Sequence, residues 1–413
     1  MTERIQAPRG TYDVLGDDAL ARDRLAEVAR GVLEAAGYSR IETPTFESTA
    51  LFARGVGEST DVVQKEMYTF DDGGGTPVTL RPEGTAPVCR AYLEHGMHKL
   101  PQPVKLWYLS SFFRRERPQQ GRFRQFWQIG AEAIGSDDPA VDAESILLLA
   151  EILEAIGARG LRLRLASLGT QDSRAAYRAE LTAHLRANED LLSPEVRERI
   201  DLNPLRAFDA DHPGTRAVME NAPLLLDFLA DDDFDHFEQV KALLDAAGIA
   251  YQVDPTLVRG LDYYTRTVFE YTSNKLGAQS GVGGGGRYDG LMEQIGGAPA
   301  PGMGWAAGVE RMLLASPPPP VAPPPVDLYV AYAKPEHRAE AFRLAADARR
   351  AGHAARLELG GRSLKGQLKQ ADRTGARYVA ILGDEGTSLK DMETGEQKTV
   401  EAGTVMHHIR GAL

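Results

Sequence analysis

The chain has 413 residues, 43% of them hydrophobic and 26% charged, with a net charge of −12 and one cysteine. That length exceeds one ordinary core, and the balance is that of a globular protein of two or three domains. The lone Cys89 excludes an intramolecular disulfide framework and a thiolate-rich zinc site, and the acidic charge excludes attachment to nucleic acid by the overall field, leaving only local basic patches.

Residues 19–36, ALARDRLAEVARGVLEAA, place Leu25, Val28, Val32 and Ala36 at helical spacing, with Gly37 as the stop. YSRIETPTFES then reads as a strand that Pro44 demotes to an edge or a bulge. In TLRPEGTAPVCRAYLE, Arg81, Glu83 and Thr85 fall at a strand-to-helix junction. Glu83 and Thr85 suit an ammonium group, while Pro-Glu-Gly-Thr is also an ordinary capping sequence. Cys89 reads as a small buried residue on that helix.

KLWYLSSFFRRE and FRQFWQIGAEAIG are strand-like and flank the polar loop RPQQGR. The hairpin holds Arg114, Arg115, Arg117, Arg122 and Arg124 with aromatic residues between them. Guanidinium forks suit phosphate oxygens and Phe126 offers a face to a base; an exposed charged hairpin is the alternative. LRLRLASLG is a further strand. From Gly169 to about Tyr251 the pattern is helical, with acidic turns such as ADDDFDHFE, and reads as an insertion. LVRGLDYYTRTVFEYT, residues 257–272, is a strand with Arg259, Asp262, Tyr263 and Tyr264 gathered at one end. GVGGGGRYDGL is not a P-loop; its glycines permit a ligand to approach the backbone, or form a flexible turn. In PGMGWAAGVERMLL small residues lead into an amphipathic helix, where Arg311 after Glu310 makes an exposed salt bridge or holds a phosphate.

SPPPPVAPPPV, residues 316–326, is a polyproline II spacer. Beyond it VDLYVAYA, HAARLEL and ARYVAILG alternate as strands with the helical EHRAEAFRLAADARRAG and SLKGQLKQADRTG, which implies a small α/β domain with a largely parallel sheet. The expected fold is thus an α+β domain on a mainly antiparallel sheet at 1–316, with a helical insertion at 170–250, a proline-rich linker at 317–325 and an α/β domain at 326–413. No apolar run approaches the roughly 20 residues that span a bilayer, and MTERIQAPRG lacks the apolar core of a signal peptide, so the expectation is no membrane contact and a cytoplasmic location.

The order of these motifs is informative. A helix and a strand ending in proline, then F-R-x-E with a loop and return strand, then a Gly-rich strand and a helix with G-x-E-R resemble the three signature motifs of class II aminoacyl-tRNA synthetases. RGTYDVLG, LRPEGT, FRRERPQQGRFRQFWQIGAE, LVRGLDYYTRTVFE and GGGGRYDGL resemble the histidyl-tRNA synthetase family over essentially the whole chain, and GRSLKGQLKQADRTGARYVAILG is similar to the class IIa anticodon-binding module.

The resemblance implies a histidine–tRNA ligase that activates L-histidine with ATP, releases pyrophosphate, and transfers histidine to the 3′-terminal adenosine of tRNA(His). Arg114 would bind the α-phosphate of ATP, Glu116 the adenine side, Phe126 the purine face, and Arg122 with Arg311 the β- and γ-phosphates. Glu83, Gly84, Thr85 and Gln128 would hold and orient the ammonium of histidine. Glu132 and Tyr264 would read its imidazole, with Tyr263 and Tyr288 closing the pocket. Arg259, between the substrate carboxylate and the α-phosphate, and Arg114 would be catalytic. Arg117, Gln119 and Arg124 are the candidates for tRNA contact. Mg²⁺ would come bound to ATP, with no residue assigned to a protein-held metal, and a homodimer would form through the first helix and its strand. Trp127 and Thr265 depart from the pattern without removing a catalytic group. The alternative is a histidine-sensing regulatory subunit of ATP phosphoribosyltransferase, a paralogue that typically lacks the C-terminal domain and catalytic motif residues, both present here.

Overall fold

The computed structural model describes residues 4–58, 60–257, 260–277, 280–318 and 326–410, apart from the side chains of Asp172, Asp209 and Arg410. The chain divides into two compact units, Met1–Pro319 and Pro320–Leu413. Most of the proline-rich stretch, and Arg259, lie outside the described residues.

The first unit opens with α1 (Asp17–Ala35), then β1 (Ser39–Arg40) and β2 (Phe46–Ser48). The stretch that reads as one strand is two, on either side of Pro44, and the pieces join different sheets: proline supplies no N–H to a ladder, so pairing is interrupted there. Helix α2 (Thr49–Val56), β3 (Tyr68–Asp71), β4 (Pro77–Leu80) and α3 (Thr85–Glu94) follow. Next come β5 (Val104–Phe113), β6 (Gln125–Ile134), α4 (Pro139–Ala155) and β7 (Leu161–Ser167). The inserted segment carries α5 (Gln171–Ala187), α6 (Pro194–Arg199), α7 (Pro213–Met219) and α8 (Asp231–Ala246). The chain returns through β8 (Gln252–Val253), β9 (Thr265–Ser273), β10 (Gly281–Arg287), α9 (Leu291–Gln294), β11 (Gly302–Gly308) and α10 (Val309–Ala315).

Eight strands form the main sheet in the order β1-β5-β6-β11-β10-β9-β7-β8. The six central strands pair antiparallel; β1 and β8 join the edges in parallel. The glycine-rich segment is strand β10, paired along both sides, and not a turn; the small residues 302–308 are strand β11, and the helix starts only at Val309.

The two faces of the sheet are filled differently. Behind it, α1, α4, α8 and α10 bury Leu25, Leu149, Val240 and Met312 against Ile129, Ala131 and Trp305. The buried stripe of α1 is Ala21, Leu25, Ala29 and Leu33, a pure i, i+4 row; Val28, Val32 and Ala36 of the sequence pattern are only half-buried on its flank. Helix α8 contributes Phe237, Val240 and Leu244 to this rear core, so the inserted helices that share the front core are those of α5 to α7. In front, α3 and the insertion pack on Tyr108, Phe112, Tyr263, Tyr264 and Tyr288.

The second unit is a five-stranded sheet, β13-β12-β14-β15-β16, made of β12 (Val326–Tyr332), β13 (Ala355–Leu357), β14 (Ala376–Gly383), β15 (Gly386–Asp391) and β16 (Gln397–Val400). Helices α11 (Arg338–Arg350), α12 (Leu364–Arg373) and α13 (Val405–Arg410) complete it. The first three strands are parallel, as alternation with helices requires; β15 and β16 add an antiparallel edge that the sequence pattern hides, since β16 has no buried residue. No helix among the described residues is long and apolar enough to cross a membrane.

Candidate active site

Strand alternation assembles the site. Along β6 the even-numbered Phe126, Gln128, Gly130 and Glu132 face forward, while Ile129, Ala131 and Ala133 enter the rear core. Directly across, β5 sets Phe112 opposite Phe126, Ser110 opposite Gln128, and Tyr108 opposite Gly130. A buried polar cluster and an open cleft lie along this face.

The first is a carboxylate lined with hydroxyls. Glu132 is fully buried. Its Oε1 accepts from Thr85 Oγ1 at 2.8 Å and Tyr108 OH at 3.4 Å, and its Oε2 accepts from Tyr288 OH at 2.7 Å. When ionised, as beside a bound cation, a carboxylate has about four lone-pair sites, so three donors leave room for one more. Gly304 makes space for it: a Cβ there would fall 1.7 Å from Glu132 Oε2. Tyr108 is wedged between Gly84 and Gly130, where a Cβ would meet its ring at 2.4 and 2.2 Å. The Tyr263 ring lies tilted at 4.7 Å from that of Tyr264 and edge-on at 5.9 Å from that of Tyr288, surrounding the cluster with phenols. Burial, chiefly, pushes the hydroxyls of Tyr108, Tyr263 and Tyr288 well above the usual tyrosine range, so they stay protonated.

Glu83 is the second buried carboxyl, and its two oxygens accept from the backbone N–H groups of Thr85 (2.7 Å) and Ala86 (3.0 Å) at the start of α3. The capping alternative is therefore realised, and the residue still faces the same cluster. Desolvation raises Glu83 above the carboxylate range, against those hydrogen bonds. Two buried carboxyls and several protonated phenols make a pocket that favours a cationic ligand rich in N–H donors.

Burial is also the main cause that pushes Glu132 up to about 8 from 4.5, opposed by its bonds from Tyr288 and Thr85. The folded protein thus holds a proton that the unfolded chain releases near 4.5. The resulting stabilisation is complete below that value and disappears as pH rises to about 8. Without added ligand, the thermal unfolding temperature of the wild type is expected to fall more steeply between about pH 5 and about pH 9 than that of Glu132→Gln. Parallel curves for the two would show that Glu132 ionises in the ordinary range.

The second pocket is a cleft of about 210 Å³ lined by Arg114, Glu116, Arg122, Phe126, Gln128, Glu270 and Arg311, with Gly281, Gly283 and Gly284 of β10 presenting bare backbone. Arg114 donates through Nε to Pro82 O at 2.9 Å and lies 5.6 Å over the Phe126 ring. Arg122 pairs with Glu116 at 3.0 Å. Arg311 spends its hydrogen bonds on two carbonyls, Gly121 O at 3.2 Å and Gly281 O at 2.5 Å, and burial, with Arg122 beside it, lowers its pKa. Three guanidinium groups sharing a cleft are a receptor for a polyanion. Gln128 also lines it, with its Oε1 buried and without a hydrogen-bond partner among the described residues.

Of the remaining candidates, Arg117 and Gln119 are exposed at the hairpin tip. Arg124 is engaged below it: its backbone N–H donates to Gly10 O at 2.8 Å and its side chain to Glu116 O at 3.4 Å. Glu310 is not in an exposed salt bridge. It is buried, pairs with Arg22 of α1 at 2.7 Å, and accepts from Tyr12 OH at 3.1 Å and from the Trp127 N–H at 3.2 Å.

Tyr108 and Arg287 are structural supports of this cluster that pattern reading missed. Arg287 is fully buried, and every N–H of its guanidinium has an acceptor: both oxygens of Asp142, Asp289 Oδ1, Ser136 O and Asp138 O. It anchors the end of β10 so that Tyr288 meets Glu132. Its place immediately before Tyr288 was the available signal; a fully buried arginine is otherwise invisible in composition.

Comparison with known proteins gives the family of the chain. A family model described as histidyl-tRNA synthetase matches residues 10–312, and one described as anticodon binding domain matches residues 327–411. The histidine–tRNA ligase of Nocardia farcinica is 48% identical over 424 aligned positions, covering 100% of this chain and 99% of that protein. That of Halothermothrix orenii is 46% identical, covering 95% and 96%. Among solved structures, the apo histidyl-tRNA synthetase of S. aureus superimposes with a TM-score of 0.82 at 36% identity, covering 98% of this chain and 100% of that one.

Proposed function

The chain belongs to the histidyl-tRNA synthetase family, and we propose that the buried carboxyl cluster and the arginine cleft together carry the activation step of histidine–tRNA ligation. The observation that carries the assignment is one strand face: β6 presents Glu132 within a carboxyl-and-phenol cluster suited to an ammonium and an imidazole, and Phe126 and Gln128 to an arginine cleft suited to a triphosphate. Gln128 lies between Phe126 and Glu132 along β6, and Arg114 lines the cleft with it.

Histidine enters with its imidazole toward Glu132 and Tyr264 and its ammonium toward Glu83, Thr85 and Gln128. A ring lacking N–H groups leaves the buried carboxyl and hydroxyls unpaired, and that penalty is the source of selectivity. ATP lies across Phe126 with its adenine beside Glu116, its α-phosphate at Arg114, and its outer phosphates between Arg122 and Arg311. A histidine carboxylate oxygen attacks the α-phosphorus, the bond to the bridging oxygen breaks, and pyrophosphate leaves. Arg114, with Arg259 from the segment outside the described residues, offsets the charge that gathers on the equatorial oxygens. The 3′-terminal adenosine hydroxyl of tRNA(His) then attacks the activated carbonyl, AMP departs, and the hydroxyl proton is released.

Among the described residues no group of three or more His, Cys, Asp or Glu is arranged to hold a metal ion. Glu116 and Glu270 line the phosphate cleft and offer the oxygen donors that suit Mg²⁺ brought in with ATP. Bound there, the ion would neutralise charge on the departing pyrophosphate. The exposed Arg117 and Gln119 are the hairpin groups free to meet tRNA, with Arg124 supporting them, and the C-terminal unit reads the anticodon. The same reading has the protein act in the cytoplasm as a homodimer, for which the half-buried Val28 and Val32 of α1 supply apolar surface.

The test is histidine-dependent exchange of labelled pyrophosphate into ATP across all amino acids. Exchange with histidine alone is expected. No exchange, combined with histidine-sensitive binding to an ATP phosphoribosyltransferase, would instead support the regulatory subunit, against which the near full-length ligase relatives already weigh.

A further inference from the structure

Arg266 lies two residues beyond Tyr264, where β9 slips by a bulge against β10: Gly286 faces Val268, but Arg287 faces Thr265. It is the one non-glycine residue among those described with a left-handed backbone, φ 45°. A residue with a Cβ takes that conformation at a cost and keeps it only where its surroundings over-determine it.

They do so here from the side of the insertion. The Arg266 N–H donates to Gly169 O at 2.9 Å, and the Leu168 N–H donates to Arg266 O at 2.7 Å. Arg266 Nε donates to Asp233 Oδ1 at 2.9 Å. Asp233, 1% exposed in the first turn of α8, accepts on its other oxygen from Thr170 N (2.8 Å), Thr170 Oγ1 (3.0 Å) and Ser173 Oγ (2.8 Å) at the start of α5. Ser173 Oγ in turn accepts from the Ala230 N–H at 3.1 Å. One carboxylate therefore joins the entry of the insertion to the start of α8 and ties both to the strand that follows the tyrosine pair.

We propose that Arg266 is a positioning residue for the histidine pocket, joined through Asp233 to the insertion so that the placement of Tyr263 and Tyr264 depends on the junction between the insertion's entry and the start of α8. Arg266 touches no substrate; its effect passes through the bulge to the backbone of Tyr264, whose ring lies against Gly286. The inference rests on the assignment of Tyr263 and Tyr264 to histidine.

Glycine adopts a φ of 45° without strain, so Arg266→Gly keeps the backbone and removes only the tie. Pyrophosphate exchange by the full chain, with histidine and ATP titrated separately and thermal unfolding measured alongside, separates the roles. In Arg266→Gly the KM for histidine is expected to rise about ten-fold while that for ATP stays within about two-fold and the protein, though less stable, remains folded at the assay temperature. Asp233→Asn is expected to give the same histidine-selective rise, to add nothing in the double variant, and to carry the comparison should Arg266→Gly fail to fold. Arg266→Lys should recover part of the loss. Unchanged constants, equal changes for histidine and ATP, or full additivity of the two substitutions would overturn the coupling. Failure of the underlying assignment looks different: the wild type then shows no histidine-dependent exchange.

Discussion

Glu132→Ala is expected to lower kcat/KM for histidine in pyrophosphate exchange by about 10³-fold, with the KM for ATP little changed. Three hydroxyls, from Thr85, Tyr108 and Tyr288, converge on this carboxyl. Its removal leaves them and the imidazole without an acceptor in a site closed to water. Truncating one partner of a buried charged hydrogen bond costs about 2–5 kcal/mol, most of it from the groups left unpaired. Glu132→Gln retains one acceptor oxygen and is expected to fall between the wild type and Glu132→Ala. A loss of less than about ten-fold in Glu132→Ala would remove the residue from imidazole recognition.

Arg114→Ala is expected to reduce the rate of adenylate formation by about 10³-fold, with a smaller change in the binding of either substrate. Its guanidinium is fixed by Pro82 O and packed over Phe126, so it is oriented before charge develops at the α-phosphorus and need not reorganise during the reaction. Arg259→Ala is expected to show a loss of the same order from the carboxylate side. Because both arginines act on one developing charge, the double variant should lose less than the product of the single losses. Single-turnover measurement of adenylate decides the matter: an unchanged rate with a raised KM for ATP would reduce Arg114 to a ground-state contact.

Much of this architecture is legible in local pattern. Alternation in FWQIGAE sends Phe126, Gln128 and Glu132 to one face whatever the partner strand, because side chains in a strand repeat every second residue. The C-terminal run of strand and helix announces its parallel strands in the same way. The roles of Glu83, Glu132 and the tyrosines, by contrast, came from the resemblance of whole motifs; nothing in their spacing distinguishes a substrate carboxyl from a helix cap, and Glu83 does cap α3.

What stayed hidden depends on partners far away in the chain. Tyr108 sits in LWYLSSFF, where an aromatic residue reads as core; its hydroxyl acquires a role only because register places Gly130 opposite and α3 places Gly84 beside it. Glu310 reads as a surface charge until α1 brings Arg22 to it from 288 residues away. The insertion reads as a separate helical segment, yet α8 belongs to the rear core and Asp233 binds the bulge at Arg266.

The sequence alone determined the alternation of the strands, the order of the motifs and, through that order, the family and its reaction. Only the tertiary structure decided which helix face is buried, which glycines admit Tyr108 and Glu132, and how Arg287 and Arg266 hold the tyrosines. Periodicity and propensity are set by neighbours a few residues apart, whereas register, close approach and the satisfaction of a buried charge are set by groups that meet only when the sheet has formed.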